Sequence, residues 1–385
     1  MTLQEVQSSD ELRNREFPVT RNKIYLAHAG VCALPRRVQD AISSYLHGAT
    51  VADQEFVLHA TWLKETRQLA ANFLGVGLDE LAFVGPTSLA LSFIAGGLTF
   101  KRNQNILVYQ DDYPSNVYPW MTLADRGVEV RFLNVRNFGV IRARDVIGQV
   151  DENTRLVALA SCHFLGGYRI DLDAIGKFLR ERGILFSVDA IQTFGAFPTS
   201  LKYVDFAAAD AHKWLLGPCA AGLMYVRKEI QDELRPITQG WHNVRNPNFV
   251  AQEQIEYKPD ARRYEAGSHN LLGVVGLRAS LELLTEIGVE NIARDLIQKR
   301  QWLVPQLKAK GYSILNENAA PESASSITTF TRTGTGTDIP ELHARLEQSN
   351  IVTSLRADRK NNRYIRISPH FYNTETELSR VLEQL

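Results

Sequence analysis

The chain has 385 residues, 44% of them hydrophobic and 22% charged, enough to bury a core large enough to shelter a cofactor and to form two domains. Lysine plus arginine and aspartate plus glutamate number 43 each, so the surface has no positive excess; a nucleic-acid groove and a membrane-adsorbing face are excluded as expectations. Three scattered cysteines (Cys32, Cys162 and Cys219) fit neither a disulfide framework nor a zinc site. With no apolar stretch of signal-peptide type in Met1–Phe17 and no long apolar run elsewhere, we expect a soluble, cytoplasmic protein.

Residues 1–20 read as an N-terminal arm. From Ile24 to Arg227 short apolar runs alternate with helical patterns. Strands are expected at Leu81–Val84, Ile106–Tyr109, Val128–Leu133, Leu156–Ala160, Ile184–Val188, Phe206–Ala209 and Gly222–Val226, with amphipathic helices between many of them, such as Ser88–Leu98 and Leu172–Arg182. That rhythm predicts an α/β domain over 21–262 built on a mostly parallel sheet covered on both faces. Pro236–Arg263, with its prolines and asparagines, interrupts the pattern and marks a junction. Beyond it, two long helices (Gly273–Ile287 and Ile292–Ala309) precede strands at Tyr312–Leu315, Ser326–Thr331, Ile351–Ser354 and Tyr364–Ser368. Helices Ile339–Ser349 and Glu375–Leu385 complete a smaller α+β domain over 263–385.

Open parallel sheets bind ligands beyond the carboxyl ends of their strands, so polar residues just after strands are the first candidates. Gly85-Pro86-Thr87-Ser88 leads straight into a helix, where Thr87 and Ser88 serve either as an ordinary cap or as part of a phosphate site. Tyr113 follows the next strand and either stacks on a flat ring or packs as an amphipathic residue. His163 follows Leu156–Ala160. Asp189 ends a buried apolar run, which is costly unless a cation such as a protonated pyridine nitrogen faces it; capping the next helix is the alternative. Asp210-Ala211-His212-Lys213-Trp214 follows Phe206–Ala209, and a desolvated lysine there can form a Schiff base, where the plain alternative is a surface lysine. No GxGxxG, GxxxxGK[ST] or GxSxG motif is present, which argues against dinucleotide, P-loop and nucleophile-elbow chemistry.

Val188-Asp189-Ala190-Ile191-Gln192 followed by Asp210-Ala211-His212-Lys213-Trp214 resembles the cofactor signature of class V aminotransferase-like proteins, fold-type I enzymes that use pyridoxal 5'-phosphate (PLP). Cysteine desulfurases, isopenicillin N epimerases and kynureninases belong to that group. The resemblance implies that Lys213 forms the Schiff base and shuttles protons, and that Asp189 pairs with the pyridinium nitrogen. It further implies that Gln192 and His163 lie near the ring's phenolic oxygen, that Tyr113 stacks on the ring, and that Thr87, Ser88 and His212 hold the phosphate. Asp210 stands where relatives often carry a phosphate-binding serine. Glu265-Ala266-Gly267-Ser268-His269-Asn270 resembles the segment that reaches a neighbour's phosphate, which implies a homodimer with Ser268 as donor. Arg363-Tyr364-Ile365-Arg366 resembles the strand whose arginine binds a substrate carboxylate; Arg366 is the first candidate, and Arg356 the second. His28, Trp241 and His242 are candidate liners of the substrate side chain.

Cysteine desulfurases carry a nucleophilic cysteine in the region matching Ser354–Asn362, and in this chain that stretch has none. The expectation is therefore an aminotransferase-like enzyme acting at the α-carbon of a small-molecule amino acid, with epimerisation, or a lyase reaction without a catalytic cysteine, as alternatives. No metal is expected.

Overall fold

The computed structural model describes residues 1–332 and 338–385. Those residues form thirteen strands, numbered in chain order: β1 (Ile24–Tyr25), β2 (Leu81–Val84), β3 (Asn105–Val108), β4 (Glu129–Phe132), β5 (Thr154–Ala160), β6 (Leu185–Asp189), β7 (Phe206–Ala209), β8 (Gly222–Val226), β9 (Ser313–Ile314), β10 (Thr328–Thr331), β11 (Ile351–Val352), β12 (Ser354–Ala357) and β13 (Arg363–Ile367). Seven form the large sheet in the order β2-β8-β7-β6-β5-β3-β4. It is parallel except around β8, which runs antiparallel to both of its neighbours.

The apolar runs are continuous because both faces of this sheet are covered. Along β2, β6, β7 and β8, Phe83, Val188, Ala207 and Leu223 join the core that includes helices Leu172–Arg180 and Leu271–Ile287. Their alternates Ala82, Leu185, Ala208 and Met224 join the core that includes helix Thr87–Gly97. Strand alternation thus divides one apolar sequence between two layers. Where β8 leaves the Gly85 turn there is no room for a side chain: a Cβ on Gly222 would fall 2.3 Å from the Gly85 carbonyl oxygen.

The small sheet, β12-β13-β10-β9, is antiparallel throughout. Ile365 and Ile367 pack on helices Val289–Ala309, Ile339–Gln348 and Glu375–Gln384, so Tyr364 and Arg366, which alternate with them, belong to the opposite face. The expected strand Ile351–Ser354 is split. Its first half pairs in parallel with β1 (Ile24↔Ile351, Tyr25↔Val352), and Ser354 opens β12. After β1 the chain passes to a different partner, the parallel bridge Ala27↔Ser368 just past β13, so the early chain reaches the small sheet before the large one begins. No helix among the described residues is long and apolar enough to cross a membrane.

Candidate active site

A cavity of about 270 Å³ opens between the carboxyl ends of the large-sheet strands and the small sheet. Asp189 ends β6 with alanines in register on both sides, Ala160 on β5 and Ala208 on β7, which keeps the space beside its carboxylate clear. Its Oδ1 accepts the Ile191 N–H at 3.0 Å. Burial, and then the nearby Asp112, push this carboxyl up to about 7. Lys213, four residues past β7, is 6% exposed, and burial draws its amine down to about 8 against the opposing pull of Asp189. Each perturbs the other, yet no ion pair within 4.0 Å joins them among the described residues. The Lys213 Nζ lies 5.1 Å from the centroid of Tyr113, whose ring also meets Phe164 edge-on.

Helix Thr87–Gly97 points its N-terminus at the same space, with Pro86, Thr87 and Ser88 on the cavity wall. Thr87 Oγ1 accepts the Asp210 N–H at 2.9 Å, which ties this helix start to the end of β7. His212 also lines the cavity, and its Nδ1 donates to Asp210 Oδ2 at 2.7 Å, which leaves Nε2 as the ring nitrogen not tied to that carboxylate.

Across the cavity stand Arg356 and Arg366. Arg366 is 1% exposed; its Nη1 donates to the Phe164 carbonyl at 2.6 Å, while Nε and Nη2 are buried with no partner. Burial, with the charge of Arg356 beside it, lowers this guanidinium to about 9. An arginine edge without a protein acceptor in a buried wall can receive a planar anion through two parallel hydrogen bonds. The cavity thus sets an amine, a carboxylate, a helix N-terminus and an open arginine fork around one space.

The model for "Aminotransferase class-V" matches residues 24–381. The chain belongs to the class-V aminotransferase family. Among curated proteins it is 29% identical to a probable cysteine desulfurase of Methanothermobacter thermautotrophicus over 96% of both chains. It is 27% identical to an uncharacterized aminotransferase of Bacillus subtilis, over 96% of this chain and 95% of that one. Among solved structures it superposes on a cysteine desulfurase from Thermococcus onnurineus NA1 with a TM-score of 0.87 at 24% identity, covering 97% and 96% of the two chains. A cystine C–S lyase in complex with cysteine persulfide gives 0.85 at 21%, covering 96% and 98%. The fold is that of fold-type I PLP enzymes, and PLP is the cofactor of this class-V protein. Its residues fit the group: an amine and a carboxylate share the cavity without an ion pair between them, and the start of helix Thr87–Gly97 lies on the same wall.

Other residues expected at the site lie off the cavity wall in this family member. His163 is buried with both ring nitrogens engaged: Nδ1 accepts the Gly166 N–H and Nε2 donates to the Asp111 carbonyl, each at 2.9 Å. Gln192 donates to Ala29 O and accepts from Trp214 Nε1, a tie behind the cavity rather than a wall of it. Asp210 turns inward and accepts from the N–H groups of Ala211, Ala220 and Ala221 as well as from His212, which is how an acid fits where relatives often carry a phosphate-binding serine. His28 is fully buried between Ser368 O and Tyr372 Oη. Ser268 is exposed and lines a separate cavity of about 320 Å³, and Trp241, 41% exposed, is not on the wall of the Lys213 cavity. His242 clusters with Glu265 and His269, the latter two on that second cavity, but the carboxylate of Glu265 is already held by Arg67, the Phe83 N–H and His269.

Sequence reasoning missed Gly30, Val31, Ser115, Phe164 and Ile191 on the wall. It also missed buried Asp112, whose Oδ2 accepts from Asn116 Nδ2 and the Ala160 N–H. Asp112 adjoins a strand end in the sequence, a signal that could have found it.

Proposed function

We propose that this chain is a PLP-dependent lyase that breaks the bond between the β-carbon and a sulfur leaving group of an amino acid, without a thiol of its own. The observation that carries the reading is a cavity shared by Lys213, Asp189 and the open edge of Arg366 in which no cysteine takes part. Cys162 and Cys32 are buried elsewhere, with thiols pushed up to about 11 and about 12 by burial, and exposed Cys219 is not on the wall. The stretch Ser354–Asn362 is a closed hairpin whose turn is held by Asp358, and Arg359 clasps Asp111 and Gln110. The names of the curated relatives support a sulfur amino acid, and the cystine C–S lyase among the solved structures supports elimination.

When bound, PLP supplies an electron sink for the bonds of the substrate's α-carbon. In this reading Lys213 would hold the aldehyde and would serve as the base for the α-proton, a task suited to an amine drawn down to about 8. Asp189 would keep the ring nitrogen protonated, and Tyr113 would lie against the ring. The start of helix Thr87–Gly97, with Thr87, Ser88 and His212, would hold the phosphate. Arg366 takes the α-carboxylate. One water is consumed, and pyruvate, ammonia and a thiol are released; from L-cystine the thiol is cysteine persulfide, and no oxidant is required. We take the active species to be a cytoplasmic homodimer in which exposed Ser268 reaches the neighbour's site, which light scattering and a Ser268→Ala variant would check.

Transamination is the second reading, favoured by the name of the Bacillus subtilis relative and by the same residues. The holoenzyme and L-cystine separate the two. Elimination gives pyruvate, ammonia and persulfide in equal amounts over many turnovers. Transamination gives a keto acid without ammonia and stalls unless a keto acceptor is added. Epimerisation exchanges the α-proton and releases no keto acid. Turnover that depends on a keto acceptor, with no thiol released from any β-thio substrate, would remove the lyase reading.

A further inference from the structure

The register of the small sheet brings two cations to one place. Ser354 faces Arg366 and Arg356 faces Tyr364 across β12 and β13, so both arginines stand on one face, diagonal to each other. They converge at the wall: a Cβ placed on Gly30 would lie 3.4 Å from Arg356 Nη2 and 3.5 Å from Arg366 Nη2. Arg366 gives Nη1 to Phe164 O and keeps its Nε–Nη2 edge open, the edge that one carboxylate fills with two parallel hydrogen bonds. Arg356 gives Nη1 to Leu355 O at 3.2 Å. Neither has a carboxylate within 4.0 Å among the described residues. The α-carboxylate of a substrate therefore answers one of the two charges and leaves the other.

We propose that this cavity selects amino acids whose side chain ends in a second anionic group, and that Arg356 is the specificity-determining residue that receives it. The inference rests on the reading of the Lys213 cavity as an amino-acid site. Among sulfur substrates it favours those whose leaving thiol carries a carboxylate.

The test measures binding of two amino acids without a leaving group, L-2-aminoadipate and L-norleucine, to the holoenzyme by calorimetry and by the change in the visible band. One charge-assisted contact predicts that aminoadipate binds about ten- to a hundredfold tighter. Arg356→Gln is expected to reduce that preference to about twofold or less by removing the contact, and Arg356→Lys, which keeps a charge without the fork, to restore part of it. Circular dichroism of each variant reports that it has folded. Equal affinities in the unaltered protein, or a preference that survives in Arg356→Gln, would overturn the assignment. Because neither ligand has to react, a preference that Arg356→Gln abolishes supports the assignment even if the lyase reading fails on L-cystine. Failure of both ligands to bind sinks the amino-acid site itself.

Discussion

Replacing Arg366 with Met keeps most of the side-chain volume and removes the fork, which is 1% exposed and has two nitrogens without partners. Two charge-assisted hydrogen bonds to a carboxylate in a buried wall contribute about 3–5 kcal/mol together, equivalent to two to nearly four decades in binding. Affinity for an amino acid and kcat/KM should fall by that factor. The corresponding amine, which lacks the carboxylate, has nothing to offer the fork, so its affinity should hold or improve once a positive charge leaves the cavity. Lys at the same position should rescue little, because a point charge cannot reproduce a planar pair of donors. The assay is titration of the visible band of the holoenzyme with matched amino acid and amine. Equal losses for the two ligands, or an amino-acid loss below about tenfold, would refute the assignment of this edge to a carboxylate.

Burial lowers Lys213 from 10.5 to about 8, and the Asp189 carboxylate opposes that shift, so capture of PLP by the apoprotein should rise as pH passes about 8. In Asp189→Asn the opposing charge is gone, and the midpoint should move to lower pH; a stopped-flow pH profile that moves upward would contradict the attraction between Asp189 and the lysine ammonium. The same lowered pKa makes apoprotein stability increase between about pH 8 and 10.5, because only the unfolded chain still holds the lysine proton in that window; chemical denaturation across it checks the sign. Asp210→Ala removes the acceptor of three backbone N–H groups and His212, and should destabilise the protein by about 2–4 kcal/mol while weakening PLP binding; an unchanged melting temperature would show that these bonds are dispensable. Cys219→Ser should leave turnover of L-cystine intact, since exposed Cys219 is not on the cavity wall, whereas a loss of activity would point to a thiol mechanism after all.

The residues that were legible in the sequence are those whose position follows from one strand. Thr87, Ser88, Tyr113, Asp189, His212 and Lys213 all come after runs of buried apolar residues, and the mostly parallel sheet brings those ends together. Arg366 was legible only through the resemblance of its strand; in the structure it lies on the face opposite Ile365 and Ile367. His163, Gln192, Asp210 and His28 satisfy the same pattern but face inward, because a buried polar side chain beside unpaired backbone groups is held by them first. Nothing in a single strand says which way such a residue turns. The split of Ile351–Ser354 was hidden for a related reason: its partner, Ile24–Tyr25, lies more than three hundred residues earlier.

That long-range pairing also explains why the cavity has the walls it does. β1 pairs with β11 and the bridge at Ala27 joins the end of β13, which delivers Ala29, Gly30 and Val31 to the cavity. Gln192 then fixes the Ala29 carbonyl from the large-sheet side, and Arg366 reaches back from the small sheet to the Phe164 carbonyl. The arginine that presents an open edge to the cavity is thus also a bolt between the two halves of the protein, with Arg359 on Asp111 as a second, more exposed one. An anion bound at Arg366 would hold the guanidinium against Phe164, so substrate affinity and the tightness of this seam are coupled. Hydrogen exchange at the β13–Phe164 contact should slow when an amino acid binds and remain unchanged with the corresponding amine.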